Sequence, residues 1–300
     1  MNTAKKLKAV SFGEVLWDVF ADGKKIGGAP LNLALRMQSL GCEVAMISCV
    51  GQDSDGDEIV AYVKAQGLDT TSILRTEEYP TGLVQVYVNE RGSASYEISY
   101  PSAWDKIQLT DYASSLVADA DVLIYGSLVC RDDVSKHSLE ELLKNTIYKV
   151  FDANLRPPHY TAAIIESLIK SASFIKFNDE ELLEIAVGMG STYTLMEDNM
   201  EFIASQTKTR SMCVTKGKHG AVLMWEGNLY SNNGYPVKVV DTVGAGDSFL
   251  ATLIMGLLTG QDPQHAIDYA CAVGALVAAS AGANPALMED DIQALMLTVI

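Results

Sequence analysis

Asp241-Thr242-Val243-Gly244-Ala245-Gly246-Asp247-Ser248-Phe249 runs directly into an apolar stretch, Phe249 to Leu258, of helical character. Its small residues therefore fall at a helix N-terminus. Free backbone N–H groups point outward there, and the helix dipole adds positive potential at the same spot. Gly244, Ala245 and Gly246 let an anion come close to the backbone. Such a turn can stabilise the negative charge that develops on a transferring phosphoryl group. Asp247 is out of place in it, because a carboxylate repels phosphate unless it has a task. One such task is to accept a proton from an attacking hydroxyl. The plain alternative is a helix cap, a position that Asp favours.

Outward from this turn, short β-rich runs alternate with longer helical patterns. Strands are expected at Lys8–Phe12, Val44–Cys49, Val122–Tyr125, Tyr148–Asp152, Phe174–Phe177 and Ser211–Thr215. Helices are expected over Ala29–Leu40, stopped by Gly41, and from a cap at Asp53 or Ser54 to Gln66, stopped by Gly67. This alternation predicts a mainly parallel sheet covered by helices on both faces. Two regions break the rhythm. Val15 to Ile26 is β-like, and Thr81 to Tyr100 alternates around a turn at Asn89 to Gly92. They predict a small separate sheet, a lid built from about residues 15–27 and 81–103. An apolar sheet face outside the core suits a dimer contact.

Composition narrows the function. The 300 residues carry 38 acids against 22 bases, a net charge of −16. That argues against sequence-independent nucleic-acid binding, which needs clustered Lys and Arg. It leaves room for a nucleotide, since local dipoles suffice for one phosphate group. The five cysteines, Cys42, Cys49, Cys130, Cys213 and Cys271, are odd in number and lack a CxxC pair. They are expected as free buried thiols. Glu14 and Asp18 interrupt the apolar stretch after Lys5, Lys6 and Lys8, which argues against a signal peptide. Tyr269 to Met288 is uncharged but contains Asn284 and Pro285, and reads as a buried helix and loop rather than a membrane span. A cytoplasmic protein is expected.

The segment Asp241 to Phe249 resembles the C-terminal motif of the ribokinase-like (PfkB) carbohydrate kinases. A second motif of that family spans Gly27-Gly28-Ala29-Pro30-Leu31-Asn32-Leu33-Ala34, then Gly41 and Gly51. Two motifs in the right order near opposite ends make a far stronger signal than either one, and the resemblance extends over essentially the whole chain. GxxxxGK[ST] and GxGxxG are both absent, so other nucleotide folds gain no support. The resemblance implies one kinase domain over residues 1–300: a three-layer α/β/α sandwich with a mainly parallel central sheet and a small β-sheet lid.

It also implies sites. Gly28 and Asn32 match substrate-contact positions, and Asp18 matches the acidic residue that hydrogen-bonds sugar hydroxyls. Asp152-Ala153-Asn154-Leu155-Arg156 resembles the D-x-N-x-R segment of fructokinases, where Arg156 contacts substrate, offsets phosphate charge or makes a structural salt bridge. Ala103-Trp104-Asp105 also follows the fructokinase pattern; Trp104 either lines the sugar pocket or packs lid against core. Asn178 and Glu181 match the N-x-x-E motif that organises Mg²⁺ through its water shell; the alternative is acids favouring a helix start. Thr215, Gly217 and Gly220 match the nucleotide turn, with Lys216 and Lys218 nearby. Cys271 stands where many members have Asn or His. Ala286 stands where ribokinase has a Ser that helps to hold a monovalent cation, so a K⁺ site at Asp241 and Thr242 stays open.

The expectation is in-line transfer of the ATP γ-phosphoryl group to a sugar hydroxyl, with Asp247 as base and Gly244, Ala245 and Gly246 around the transferring group. Fructose is the preferred acceptor. Ribokinase and 2-keto-3-deoxygluconate kinase are the alternatives; the latter needs an extra cation, from Arg91, Lys106 or Arg156. A nucleoside kinase fits the first motif less well. A non-catalytic sugar sensor is the alternative of another class, disfavoured because Asp247 and the glycine turn are intact. A homodimer through the lid is expected.

Overall fold

The structure, a computed structural model, describes residues 6–21, 23–88, 94–207 and 209–298. Strand β1 (Lys8–Phe12) is followed by β2 (Leu16–Phe20), β3 (Gly23–Gly27) and helix α1 (Ala29–Ser39). Then come β4 (Glu43–Gly51), α2 (Ser54–Ala65), β5 (Ile73–Thr76), β6 (Gly82–Val88) and β7 (Ala94–Ile98). The middle of the chain is α3 (Asp111–Asp119), β8 (Val122–Gly126), α4 (Asp133–Lys144), β9 (Lys149–Asp152), α5 (Ala162–Ser171), β10 (Phe174–Asn178) and α6 (Asp179–Gly188). The rest is α7 (Met196–Thr207), β11 (Met212–Thr215), β12 (Ala221–Trp225), β13 (Asn228–Asn232), α8 (Ala245–Leu258), α9 (Pro263–Ala278) and α10 (Glu289–Met296).

The helix boundaries follow local chemistry. Asp53 caps α2 by accepting from the Gly56 amide at 2.8 Å, with Asp55 and Asp57 in the first turn. Gly41 (φ 89°) and Gly67 (φ 86°) follow the ends of α1 and α2 in the left-handed conformation that lets the chain leave a helix.

Nine strands form the main sheet in the order β13-β12-β11-β10-β9-β8-β1-β4-β5. Pairing from β11 to β5 is parallel, while β12 and β13 form an antiparallel edge. The sequence pattern did not single out β5 or that edge hairpin. The central strands are buried on both faces, as a parallel sheet between helix layers requires. Along β8, Val122 and Ile124 join the core shared with α1, α8 and α9, while Leu123 and Tyr125 join the core shared with α4, α5 and α6. The expected α/β/α sandwich with a mainly parallel sheet is thus observed. The chain runs from β1 outward to β4 and β5, then crosses back to β8 on the other side of β1. The β1–β8 boundary is therefore the switch point, where a crevice opens at the strand C-termini.

A separate sheet of four strands, ordered β3-β2-β6-β7, hangs from the end of β1. The turn expected at Asn89 to Gly92 lies outside the described residues, as do Arg91 and Lys5. Trp17, Val19, Ile26 and Leu83 pack on the main core, whereas Leu16, Val84 and Val86 form a cluster of their own with Phe20 and Ile98. The sheet is rooted by polar contacts. Asp53 accepts from both the amide and the hydroxyl of Thr81, at 2.9 and 2.6 Å. Asp105 takes the Arg131 guanidinium in a two-pronged pair, at 2.7 and 2.8 Å, and caps its own short turn through the Ser102 amide. That pair is almost wholly buried. All five cysteines are free and buried, as expected. Among the described residues, no helix is long and apolar enough to cross a membrane.

Removing one partner of a buried pair leaves an uncompensated charge. Asp105→Ala is expected to lower the unfolding free energy by about 3–5 kcal/mol, read from the urea midpoint. A change below about 1 kcal/mol, the size of an exposed pair, would show that the pair does not root the sheet.

Candidate active site

The glycine turn is built as an anion cradle. Gly244 is the N-cap of α8, at φ 77°. A Cβ there would lie 2.5 Å from the Ala283 carbonyl oxygen. Ala245, Gly246 and Asp247 form the first helical turn, where backbone N–H groups lack intrahelical acceptors. Gly246 has open space in front of it, its nearest neighbour being Lys176 Nζ, 3.8 Å from where a Cβ would stand. The helix thus begins at Ala245, slightly earlier than the apolar run suggests.

Asp247 does not cap this helix, since Gly244 does. Its Oδ2 instead accepts from Asn32 Nδ2 at 2.9 Å. Asn32 lies in α1, and its Oδ1 accepts in turn from Asn284 Nδ2 at 2.9 Å. Burial, helped by the charge of Asp152, raises the Asp247 pKa to about 6, against the pull of Asn32, Lys176 and Arg156. At neutral pH the carboxylate is mostly ionised and close to its pKa, as a general base should be.

Beneath the cradle lies a buried ion pair. Lys176, in the middle of β10, places Nζ 3.0 Å from Asp152 Oδ1 at the end of β9. Burial alone would depress this lysine. The carboxylates of Asp152, Glu181 and Asp247 overcome it and hold the ammonium above its ordinary range. Neither Lys176 nor Asn284 is singled out by the sequence patterns. A lysine within the apolar run Phe-Ile-Lys-Phe was the available signal for the first.

Asp18 is half-buried on β2, and a Cβ on Gly27 would collide with its Oδ2. Gly28 (φ 111°) has no room for a Cβ against the Glu14 carbonyl. These two glycines therefore let β3 and α1 close around Asp18 and Glu14. Burial raises Asp18 to about 6 and Glu14 to about 7, with Arg156 opposing both shifts. Arg156 donates to the Leu155 carbonyl at 3.0 Å and makes no ion pair among the described residues. Its charge is exerted on Asp18, Glu14 and Asp247 together. Trp104 is fully buried against Gly82 and under the Arg131 guanidinium, 4.0 Å from its ring. The ring is thus packed between the start of the small sheet's β6 and the Arg131 side chain.

At the nucleotide end, Asn178 caps α6 and forms a reciprocal box with Glu181, at 2.7 and 2.8 Å. The other Glu181 oxygen accepts from the Leu155 amide at 2.9 Å. Glu181 is thereby fixed under the β9 loop with few lone pairs left. Among the described residues, no group of three acids, histidines or cysteines is spaced to hold a metal directly. The donor set fits Mg²⁺ carried by nucleotide phosphates and water, not a protein cage. Thr215 ends β11, its hydroxyl donating to the Phe177 carbonyl at 3.3 Å. Gly217 (φ 54°) and Gly220 (φ 79°) shape the following turn, closed by Lys216 N–H donating to the Gly220 carbonyl at 2.8 Å. Asp241 Oδ1 accepts from the Val243 amide at 3.0 Å, and its Oδ2 lies 3.6 Å from Lys25 on β3.

Of the expected residues, Asp18 on β2, Asn32 on α1, Arg156 after β9 and Asp247 on α8 come together, Asn32 bonding Asp247 and the Arg156 charge acting on Asp18 and Asp247, while Asn178 and Thr215 sit at the ends of β10 and β11. The pattern of the pfkB family carbohydrate kinases matches residues 2–290, and the chain belongs to that family. It is 28% identical to a probable fructokinase-5 of Arabidopsis thaliana over 309 residues, covering 93% of each chain. It is 26% identical to a 2-dehydro-3-deoxygluconokinase of Thermoproteus tenax over 291 residues, covering 94% of this chain and 88% of that one. A fructokinase of Xylella fastidiosa with bound ATP has the same fold, with TM-score 0.84 and 22% identity over 98% of this chain and 99% of that one.

Two alanine substitutions separate fold from chemistry in the cradle. Gly244→Ala meets both a positive φ and a backbone oxygen, and is expected to destabilise by about 1–3 kcal/mol. Gly246→Ala meets only open space, so its urea midpoint should hold or rise slightly, while ADP release falls by about 10²-fold. Equal activity loss at equal stability loss in both would remove the special role of Gly246.

Proposed function

We propose that this protein transfers the γ-phosphoryl group of ATP to the 6-hydroxyl of D-fructose. The single observation that carries the reading is the placement of Asp247. A carboxylate held outside its own helix cap, tethered by Asn32 and next to an open glycine turn, suits one act: taking a proton from a hydroxyl poised for attack.

In that reaction the C6 oxygen forms a bond to the γ-phosphorus, the bond from that phosphorus to the β-bridging oxygen breaks, and ADP leaves. The hydroxyl proton passes to Asp247. The amides of Gly244, Ala245 and Gly246 stabilise the charge on the transferring group, with Lys176 adding positive potential from below. Thr215, Gly217 and Gly220 contact the nucleotide. Asn178 and Glu181 sit where they can order water around the phosphates. Mg²⁺, when bound with ATP, neutralises phosphate charge. Asp241 belongs to the loop where a K⁺ ion would lie. Asp18, Gly28 and Asn32 hold the sugar, and Arg156 orients it.

Charge balance supports a neutral sugar over a sugar acid. Lys106 is committed to Asp132 at 2.6 Å, and Arg131 to Asp105. Arg156 already faces the three acids Asp18, Glu14 and Asp247. Among the described residues, a 2-keto-3-deoxygluconate carboxylate would meet more negative than free positive charge there. The small sheet, formed by about residues 15–27 and 81–103, acts as the lid, closing over the crevice to exclude water, which competes as acceptor. The same sheet forms a homodimer contact. Its cluster of Leu16, Val84, Val86, Phe20 and Ile98 stands apart from the two main cores, and Tyr96, opposite Val86, is more than half exposed. The protein works in the cytoplasm.

Asp247→Asn should keep the fold and lower kcat by about 10²–10⁴-fold. In the parent, the raised pKa means that the active, ionised form is lost as pH falls through about 6. The logarithm of kcat/KM should rise with unit slope below that pH and level off above it. Across a sugar panel, ADP release should respond most to fructose. Strong turnover of 2-keto-3-deoxygluconate or ribose with none of fructose would overturn the substrate, and near-normal turnover by Asp247→Asn would overturn the base. Light scattering at micromolar concentration should give about twice the 32.4 kDa chain mass; a monomer mass would overturn the lid contact.

A further inference from the structure

At the β1–β8 switch point the crevice narrows to a cavity of about 20 Å³. Its polar lining comes from Ser11 within β1, Glu14 after β1, Ser127 after β8, Asp152 at the end of β9 and Asn154 after it. Two of these groups are already committed. Ser11 Oγ donates to the Pro30 carbonyl at 2.8 Å, and Asp152 is paired with Lys176. Two others are not. Glu14 Oε2 and Ser127 Oγ are buried and make no hydrogen bond, on residues only 4% and 1% exposed. Leaving such atoms unpaired in a protein interior is costly, and a native chain retains them where something else pairs with them.

The size of the cavity decides what that partner can be. A single water needs about 10–15 Å³, so the notch takes one oxygen-sized group and no more. A methyl or methylene would leave both polar atoms unpaired. A hydroxyl fits both: its proton goes to Glu14 Oε2, and its oxygen accepts from the Ser127 O–H. A water can take the same place while the sugar is absent. Asp247 is not among the groups that line the notch, so the hydroxyl held there is not the one that loses its proton to the base. Asp152, which lines the notch, is paired with Lys176, whose Nζ stands below Gly246 in the cradle, so the notch lies beside the reacting centre.

We propose that Glu14 and Ser127 form a specificity notch that receives one non-reacting hydroxyl of the sugar. The assignment rests on the sugar-kinase reading above and adds a selection step to it. Asp18 and Asn32 hold the sugar from the small sheet and from α1, while the notch tests it from the central strands. A substrate that lacks the matching hydroxyl leaves a buried carboxylate oxygen and a buried serine hydroxyl unpaired. Sites built in this way discriminate strongly against the missing group.

The test compares fructose with its monodeoxy analogues in the full chain, in the parent and in two variants. Ser127→Ala removes no hydrogen bond to another protein group, so its melting temperature should change little. Glu14→Met keeps a similar volume and removes the carboxylate. In the parent, one monodeoxy analogue should lose roughly 10²-fold or more in kcat/KM relative to fructose, and the others less. In Ser127→Ala, fructose itself should fall roughly tenfold to a hundredfold, mainly through KM, while that one analogue barely changes. The parent's selective loss should therefore shrink to within a few fold. Glu14→Met should collapse the same difference; if it does not fold, Ser127→Ala decides alone. Turnover of fructose with every analogue affected alike in parent and variant would overturn the notch and leave the kinase reading standing. So would a Ser127→Ala protein that melts lower but keeps the parent's selectivity. A parent that turns over no neutral sugar would overturn the functional reading, and the notch with it.

Discussion

The hydrogen bond from Asn32 to Asp247 joins segments 215 residues apart, and the placement of the Asp247 carboxylate depends on it. An acidic side chain in the first turn of a helix is drawn toward the free amides of that same turn. Had Asp247 satisfied them, the anion cradle would be filled by its own carboxylate. Two features prevent this. Gly244 turns the chain at φ 77°, so the helix begins without a capping side chain. Asn32 then holds the carboxylate from α1, and Asn284 fixes the Asn32 oxygen so that its amide nitrogen faces Asp247. No side chain fills the turn, although the Ala245 amide already donates to the Thr242 carbonyl at 3.3 Å, and the carboxylate stays next to it.

Keeping so much charge together carries a cost that the fold meets with buried pairs. Asp152, Glu181 and Asp247 would repel one another in a dry interior. Lys176 lies among them as counter-ion, and the Glu181 carboxylate is held by two backbone amides. Buried pairs of this kind are weak evidence for stability, because desolvation offsets most of the attraction. Their positions suggest another use. Lys176 lies at the floor of the cradle, and the Asp105–Arg131 pair lies at the root of the small sheet. Both orient groups around the crevice that apolar packing alone could not hold at a set angle.

The legible parts of the molecule were those encoded locally. Gly41 and Gly67 stop helices because each residue adopts a positive φ, so the ends of α1 and α2 could be read from single positions. The two glycine motifs could be read for the same reason, since backbone approach needs Gly wherever it occurs. What could not be read was long-range pairing. Nothing near Asn284 signals that it supports Asn32, and nothing near Ser127 signals that its hydroxyl lacks a partner. Trp104 shows the limit from the other side. Its motif marks its importance, but whether the ring faces a sugar or the Arg131 guanidinium depends on how two segments separate in the sequence settle together. The edge hairpin of β12 and β13 was likewise missed, because its residues do not follow the alternation of buried parallel strands with helices.

This division explains why the reaction class is easier to infer than the acceptor. Phosphoryl transfer draws mainly on backbone amides and one carboxylate, all within nine consecutive residues, Asp241 to Phe249. On the proposed reading, sugar selection draws on side chains at the ends of β1, β2, β8 and β9 and on the start of α1, which lie apart in the sequence. A parallel sheet lets these loops change one at a time while the helix at Gly244 stays put. The same cradle can therefore serve different acceptors. The acceptor is chosen by which polar atoms the strand ends leave unpaired, and in this chain Glu14 and Ser127 are the pair left waiting.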